Sequence, residues 1–128
     1  MEDKKTVLAI DDNSMMLDLF QKMLSLHYNI EVVNSAANAI DFLNKKQTDL
    51  ILLDIEMPNV SGFDFLYDIR KIPGFMKVPI IIVSGNTGQE FFQQARNSSA
   101  AGILTKPVKK EVLIEAIERA LSMADQIR

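Results

Sequence analysis

Asp11 and Asp12 follow the apolar run Val7-Leu8-Ala9-Ile10, and Asp54 follows Leu50-Ile51-Leu52-Leu53. Ser84 closes Pro79-Ile80-Ile81-Ile82-Val83, and Lys106-Pro107 closes Gly102-Ile103-Leu104-Thr105. Acids, a hydroxyl and an ammonium thus recur at the same place, just past a short β-rich run. Parallel strands of an open α/β sheet deliver their carboxyl ends to one edge, where ligand crevices form. Residues distant in sequence would then share one site. Carboxylates crowded together repel, and either a retained proton or a cation must relieve them. A hard divalent ion such as Mg²⁺ suits the set, because it prefers oxygen ligands and keeps waters for a substrate phosphate. Asp54 is the natural nucleophile, since a carboxylate can attack phosphorus to give an aspartyl phosphate. Phosphoryl transfer needs mainly positioning and charge neutralisation, which the metal and the compact ammonium of Lys106 would supply. Ser84 could hydrogen-bond a phosphoryl oxygen. Singly, each residue has a plainer reading: Asp11-Asp12 as a turn and cap, Ser84 as a helix cap, Lys106 as a solvated lysine. Their common position carries the inference.

The elements that must position these groups follow from the same pattern. Apolar runs near Val7–Ile10, Ile30–Asn34, Leu50–Leu53, Ile80–Val83 and Gly102–Thr105 alternate with amphipathic segments around 14–26, 36–46, 62–71, 88–97 and 108–124. Strict β-α alternation implies a parallel sheet with helices on both faces. The middle runs are apolar without a period of two, as in strands buried on both faces, whereas Ile30-Glu31-Val32-Val33-Asn34 is more polar and reads as an edge. Ser14 and Ser35 are candidate N-caps, and Pro73-Gly74 reads as the end of the third helix. Val112, Leu113, Ala116, Ile117, Ala120 and Leu121 form the apolar stripe of the last helix. Met16, Phe20 and Met23 or Leu24 are the expected core positions of the first.

The 128 residues suit one domain, 1–128, with its own core. A net charge of -3 argues against direct nucleic-acid binding, which wants a basic face. With no cysteine, disulfides, thiolate metal sites and cysteine nucleophiles are excluded together. No run is long and apolar enough for membrane insertion, and the polar start Met1-Glu2-Asp3-Lys4-Lys5 has no signal-peptide core, so a cytoplasmic protein is expected.

Asp11-Asp12, Asp54-Ile55-Glu56-Met57-Pro58 with Gly62, Ser84-Gly85 and Thr105-Lys106-Pro107 together resemble the receiver domain of two-component response regulators, over nearly the whole chain. The resemblance implies a flavodoxin-like, doubly wound five-stranded parallel sheet in the order 2-1-3-4-5, as in a chemotaxis regulator of that family. It implies that Asp54 is the phosphoacceptor, charged by a sensor histidine kinase or a histidine phosphotransfer protein. Asp12, Asp54 and the backbone carbonyl of Glu56 would hold Mg²⁺, with Asp11 acting through water. Ser84 would be the switch hydroxyl, Lys106 the phosphoryl-binding lysine, and Lys106–Pro107 a cis bond. On this reading the protein is a signalling domain that catalyses only its own phosphoryl transfer and autodephosphorylation, and it signals to a downstream protein effector.

Several features depart from, or add to, that pattern. Ile103 stands where the family usually has Tyr or Phe, so the aromatic half of the switch is missing and a smaller rearrangement is expected. Glu56 lies two residues past the phosphoacceptor and Asn86 two past Ser84. Glu56 either tunes phosphoryl lifetime or the metal, through Lys106 when no metal is bound, or is an inert solvent-facing acid. Met15 and Leu19 form a second stripe on the first helix, either open for docking a phosphodonor or covered by the last helix. Phe91 and Phe92 are adjacent on the fourth helix, so one of them is expected at a partner surface. His27 reads as a surface residue.

Other functions fit less well. Aspartyl phosphatases of other doubly wound families carry D-x-D after the first strand, unlike Asp11-Asp12-Asn13, and neither G-x-x-x-x-G-K-[ST] nor G-x-G-x-x-G is present. A receiver-like interaction module without phosphoryl chemistry would not need the full acid, hydroxyl and lysine set. A receiver belonging to a larger regulator or hybrid kinase is equally compatible with the residues.

Overall fold

The computed structural model describes residues 4–127. Its elements run β1 (Thr6–Ile10), α1 (Ser14–Leu24), β2 (Asn29–Val33), α2 (Ala36–Lys45), β3 (Leu50–Leu53), α3 (Gly62–Arg70), β4 (Ile80–Ser84), α4 (Gln89–Arg96), β5 (Gly102–Thr105) and α5 (Lys110–Ile127). The sheet is parallel throughout, in the order β2-β1-β3-β4-β5. Expected and observed elements agree in kind and order, with no end shifted by more than three residues.

Strand periodicity divides the core in two. Leu8, Ile10, Ile51, Leu53, Ile80 and Ile82 face α2, α3 and α4, while Val7, Ala9, Leu50, Leu52, Ile81 and Val83 face α1 and α5. Both faces of β1, β3 and β4 are therefore covered, which is why their sequences show no polar alternation. β2 is an edge and keeps exposed positions.

Several local expectations need correction. Asn13 caps α1, its side chain accepting from the backbone N–H of Met15 at 2.9 Å and Met16 at 3.2 Å, so Ser14 is the first helical residue instead. Ser35 does cap α2, through Asn38 N at 3.1 Å. Leu17, Phe20 and Leu24 are the buried positions of α1, while Met16 and Met23 are only half-buried at the rim of the core. In α5 Leu113, Ile117 and Ala120 are buried but Val112 is exposed, because the stripe covers less than its full width. α3 stops at Arg70, ahead of Pro73, and Gly74 adopts φ 91° in the following turn.

Candidate functional site

Register assembles the site. Ile10 pairs with both Val33 and Leu53, so Asp11 and Asp54 leave the sheet side by side, tied by Asp11 N–H to Val33 O at 3.2 Å and Asp54 N–H to Ile10 O at 3.0 Å. Ser84 pairs with Thr105, and Lys106 N–H donates to Ser84 O at 2.9 Å. The Lys106–Pro107 bond is cis. Gly62 lets the loop after Asp54 close: a Cβ there would lie 2.1 Å from Ile55 O and 2.3 Å from Ile55 Cγ2. No larger residue fits without moving the segment next to Asp54.

At this edge one carboxylate oxygen each from Asp11, Asp12 and Asp54 lies within 4.8 Å of the others, the only such group of potential metal ligands among the described residues. Asp11 and Asp54 are buried and Asp12 is exposed. The Lys106 ammonium donates to Asp11 Oδ2 at 2.8 Å and Asp54 Oδ2 at 3.3 Å. The second oxygens are also used, Asp11 Oδ1 accepting from Asn13 N–H at 2.9 Å and Asp54 Oδ1 from Glu56 N–H at 2.9 Å. Among the described residues Lys106 is the one cation within ion-pair distance of the cluster.

One ammonium stands against three acids. Burial pushes the Asp11 carboxyl up, the Lys106 and Asn13 hydrogen bonds pull it down, the Asp54 charge pushes it up again, and the net is upward. Burial pulls the Lys106 ammonium down, but the hydrogen bond to Asp11 and the Asp54 charge outweigh it and hold it protonated above its ordinary range. The cluster has an all-oxygen donor set and negative charge left over. It fits a hard divalent cation.

The structure places the other expected site residues less uniformly. Ser84 is fully buried, and its hydroxyl donates to Glu56 Oε1 at 3.0 Å while accepting from Asn86 N–H at 3.2 Å. Asn86 Nδ2 donates to Glu56 Oε2 at 3.3 Å. The Glu56 carboxylate therefore engages Ser84 and Asn86, not Lys106: the ammonium is already held by the nearer, buried Asp11 and Asp54. Ile103 is half-buried against the α2–α3–α4 face of the core. Met15 is 79% and Leu19 38% exposed, so α5 does not cover them. Phe91 is buried and Phe92 half-buried, so of the pair only Phe92 keeps a place near the surface. Phe91 stacks at a tilt against Phe63 of α3, and packing against a neighbouring helix removes it from the surface. His27 is exposed, as expected.

Known proteins match this arrangement. The model of the response regulator receiver domain matches residues 7–118, and the chain belongs to that family. It is 30% identical over its whole length to the response regulator protein TodT of Pseudomonas putida. Over 98% of its length it is 32% identical to the 3',5'-cyclic-nucleotide phosphodiesterase regA of Dictyostelium discoideum. It spans 56% of the first relative and 16% of the second. Among solved structures, chemotaxis protein CheY4 of Vibrio cholerae superposes with TM-score 0.85 at 27% identity, over 91% of this chain and 98% of that one. The receiver domain of a sensor histidine kinase of Pseudomonas aeruginosa, solved with a magnesium ion coordinated in its active-site cleft, superposes at 0.83 and 25% identity, over 93% of this chain and 98% of that one.

Proposed function

We propose that Asp54 accepts a phosphoryl group in a Mg²⁺-dependent reaction and that the phosphorylated domain signals through protein contacts. The observation that carries this is the meeting of Asp11, Asp12 and Asp54 with the Lys106 ammonium at one sheet edge. An Asp54 carboxylate oxygen attacks phosphorus of a phosphohistidine; the P–O bond forms as the P–N bond breaks, and the electron pair leaves on the imidazole nitrogen. Hydrolysis by water then returns the Asp54 carboxylate and inorganic phosphate. Asp12, Asp54, the Glu56 carbonyl and, through water, Asp11 would hold Mg²⁺, which when bound supplies positive charge against the phosphoryl oxygens. Lys106 supplies the second positive charge and Ser84 a hydrogen bond.

The donor is a sensor histidine kinase or a histidine phosphotransfer protein, and exposed Met15 and Leu19 beside the acids give it a flexible apolar landing surface. Ile103 in place of an aromatic limits the rearrangement that follows. Comparing the free and beryllofluoride-bound structures tests this, and a large rotamer-coupled shift at Ile103 would count against it. The central test is acetyl phosphate with Mg²⁺. Mass spectrometry is expected to find a base-labile phosphoryl adduct on Asp54, absent in EDTA and in Asp54→Asn. An unlabelled Asp54 in the wild type refutes the reading.

A further inference from the structure

Building on the phosphoacceptor reading, we infer that Glu56 and Asn86 form a latch on the Ser84 hydroxyl that must open before Ser84 can serve the phosphoryl group. A serine hydroxyl carries one proton. Here that proton is committed to Glu56 Oε1 at 3.0 Å, and the acceptor is a carboxylate, so the bond is of the stronger, charge-assisted kind. The latch is closed on its other side by Asn86, whose side-chain amide donates to Glu56 Oε2 at 3.3 Å and whose backbone N–H donates to Ser84 Oγ at 3.2 Å. The amide is itself oriented, since its oxygen accepts from Gly88 N–H at 2.8 Å, and Gly88 is the N-cap of α4.

Opening is unequal for the two partners. Glu56 is exposed and regains water, whereas Ser84 is fully buried and cannot. A hydroxyl released there is left without an acceptor, which is costly, unless a phosphoryl oxygen arrives to take the proton. The phosphoryl group and the Glu56 carboxylate are thus rivals for one donor. Because Asn86 joins the latch to the α4 cap, the exchange also loosens the contact between the Asp54 loop and the first turn of α4. Glu56 acts here as a positioning residue that holds the unphosphorylated state.

The test uses the ¹⁵N-labelled full chain as wild type, Glu56→Ala, Ser84→Ala and the double variant, each with Mg²⁺. Before any phosphoryl donor is added, the Asn86 backbone and side-chain amide resonances are expected to move in Glu56→Ala. With acetyl phosphate, Asp54 is expected to label about tenfold faster in Glu56→Ala than in wild type, the worth of one charge-assisted hydrogen bond. That gain should vanish when Ser84 is also alanine, and Glu56→Gln, which keeps an acceptor without the charge, should fall between. Asn86 resonances that stay in place overturn the latch whether or not Asp54 is labelled. A gain that persists undiminished without Ser84 also overturns it, since repulsion of the incoming phosphoryl by Glu56 would then be the cause. Absence of label in all four proteins overturns the phosphoacceptor reading, and the rivalry with it. Should Glu56→Ala not fold, Glu56→Gln carries the same comparison.

Discussion

Two half-buried cations stand at opposite edges of the sheet and are satisfied in opposite ways. Lys106, at the carboxyl edge, is held by the carboxylates of Asp11 and Asp54. Arg70, at the amino edge, has no carboxylate partner among the described residues. Its guanidinium donates to the carbonyls of Val78, Phe75 (3.3 Å) and Ser99 (3.0 Å) and to Ser99 Oγ (2.9 Å). Lys106 is held protonated by its acids against the pull of burial, while burial alone lowers the Arg70 guanidinium. A fork of donors spent on neutral carbonyls has nothing to exchange; it fastens the end of α3 to the segment before β4 and the turn before β5. An ammonium shared between two acids can be re-partnered, and the acids can be given to another cation. Charge placed against charge marks the chemical edge, and charge placed against dipoles marks the structural one.

The largest effect that would break this contrast is at Lys106. Lys106→Ala is expected to slow acetyl phosphate labelling of Asp54 by about 10²- to 10³-fold, the usual loss when one group stabilising a transition-state anion is removed. Urea unfolding in EDTA should show it destabilised by about 3–5 kcal/mol, because Asp11 and Asp54 are left buried without a counter-ion. Saturating Mg²⁺ should restore most of that stability, since a ligand that binds only the folded state stabilises it. Loss of stability that Mg²⁺ does not restore would make Lys106 a fastener like Arg70. Arg70→Ala should behave the other way round. It is expected to cost about 3 kcal/mol in urea with or without Mg²⁺, by orphaning carbonyls at three points, and to leave the labelling rate unchanged.

The carboxyl edge was legible in the sequence because its residues sit at strand ends, and strand ends are announced by where apolar runs stop. Asp11, Asp12, Asp54 and Lys106 needed only the parallel register to meet, and the register followed from strict β-α alternation. Glu56 was seen, but its partner was not: which of Lys106 and Ser84 it reaches depends on Asp11 and Asp54 having taken the ammonium first. Arg70 was missed altogether. Nothing local distinguishes it from a solvated last-turn arginine, and its acceptors are backbone carbonyls, which every residue has. Phe91 against Phe92, and Leu17 against Met16, turned on helix rotation of less than one position, finer than an apolar stripe resolves. Asn13 took the cap from Ser14 because the helix starts one residue earlier than a Ser14 cap would require.

Gly62 links the two edges, since it starts the helix that Arg70 ends. Gly62→Ala drives a Cβ into Ile55 O, and the backbone beside Asp54 must move. The expected cost is about 1–3 kcal/mol, as for overpacking elsewhere, with slower Asp54 labelling. Urea unfolding and acetyl phosphate labelling of one preparation check both. An unchanged labelling rate would show that the Asp54 loop is positioned from the sheet alone.

The smallest effect sharpens the contrast from the side of the acids. Glu118 of α5 is a carboxylate whose partner is neutral, the buried Tyr28 hydroxyl that donates to it. Burial, the hydrogen bond and the Glu118 charge all raise the Tyr28 hydroxyl above its ordinary 10.0. Above that value the unfolded chain loses the proton while the folded one keeps it, so the folded state binds more protons and stability falls as pH rises. The contribution is fully present below pH 10.0 and is lost as pH climbs towards the folded value. Tyr28→Phe is expected to cost about 1–2 kcal/mol at neutral pH, as for a hydrogen bond to a charged group. Its unfolding midpoint should fall less steeply than the wild type's between neutral and alkaline pH, so that the two curves converge. Parallel curves would mean that this hydroxyl ionises as readily in the fold as out of it, and that a carboxylate facing a neutral donor is as exchangeable as those facing Lys106.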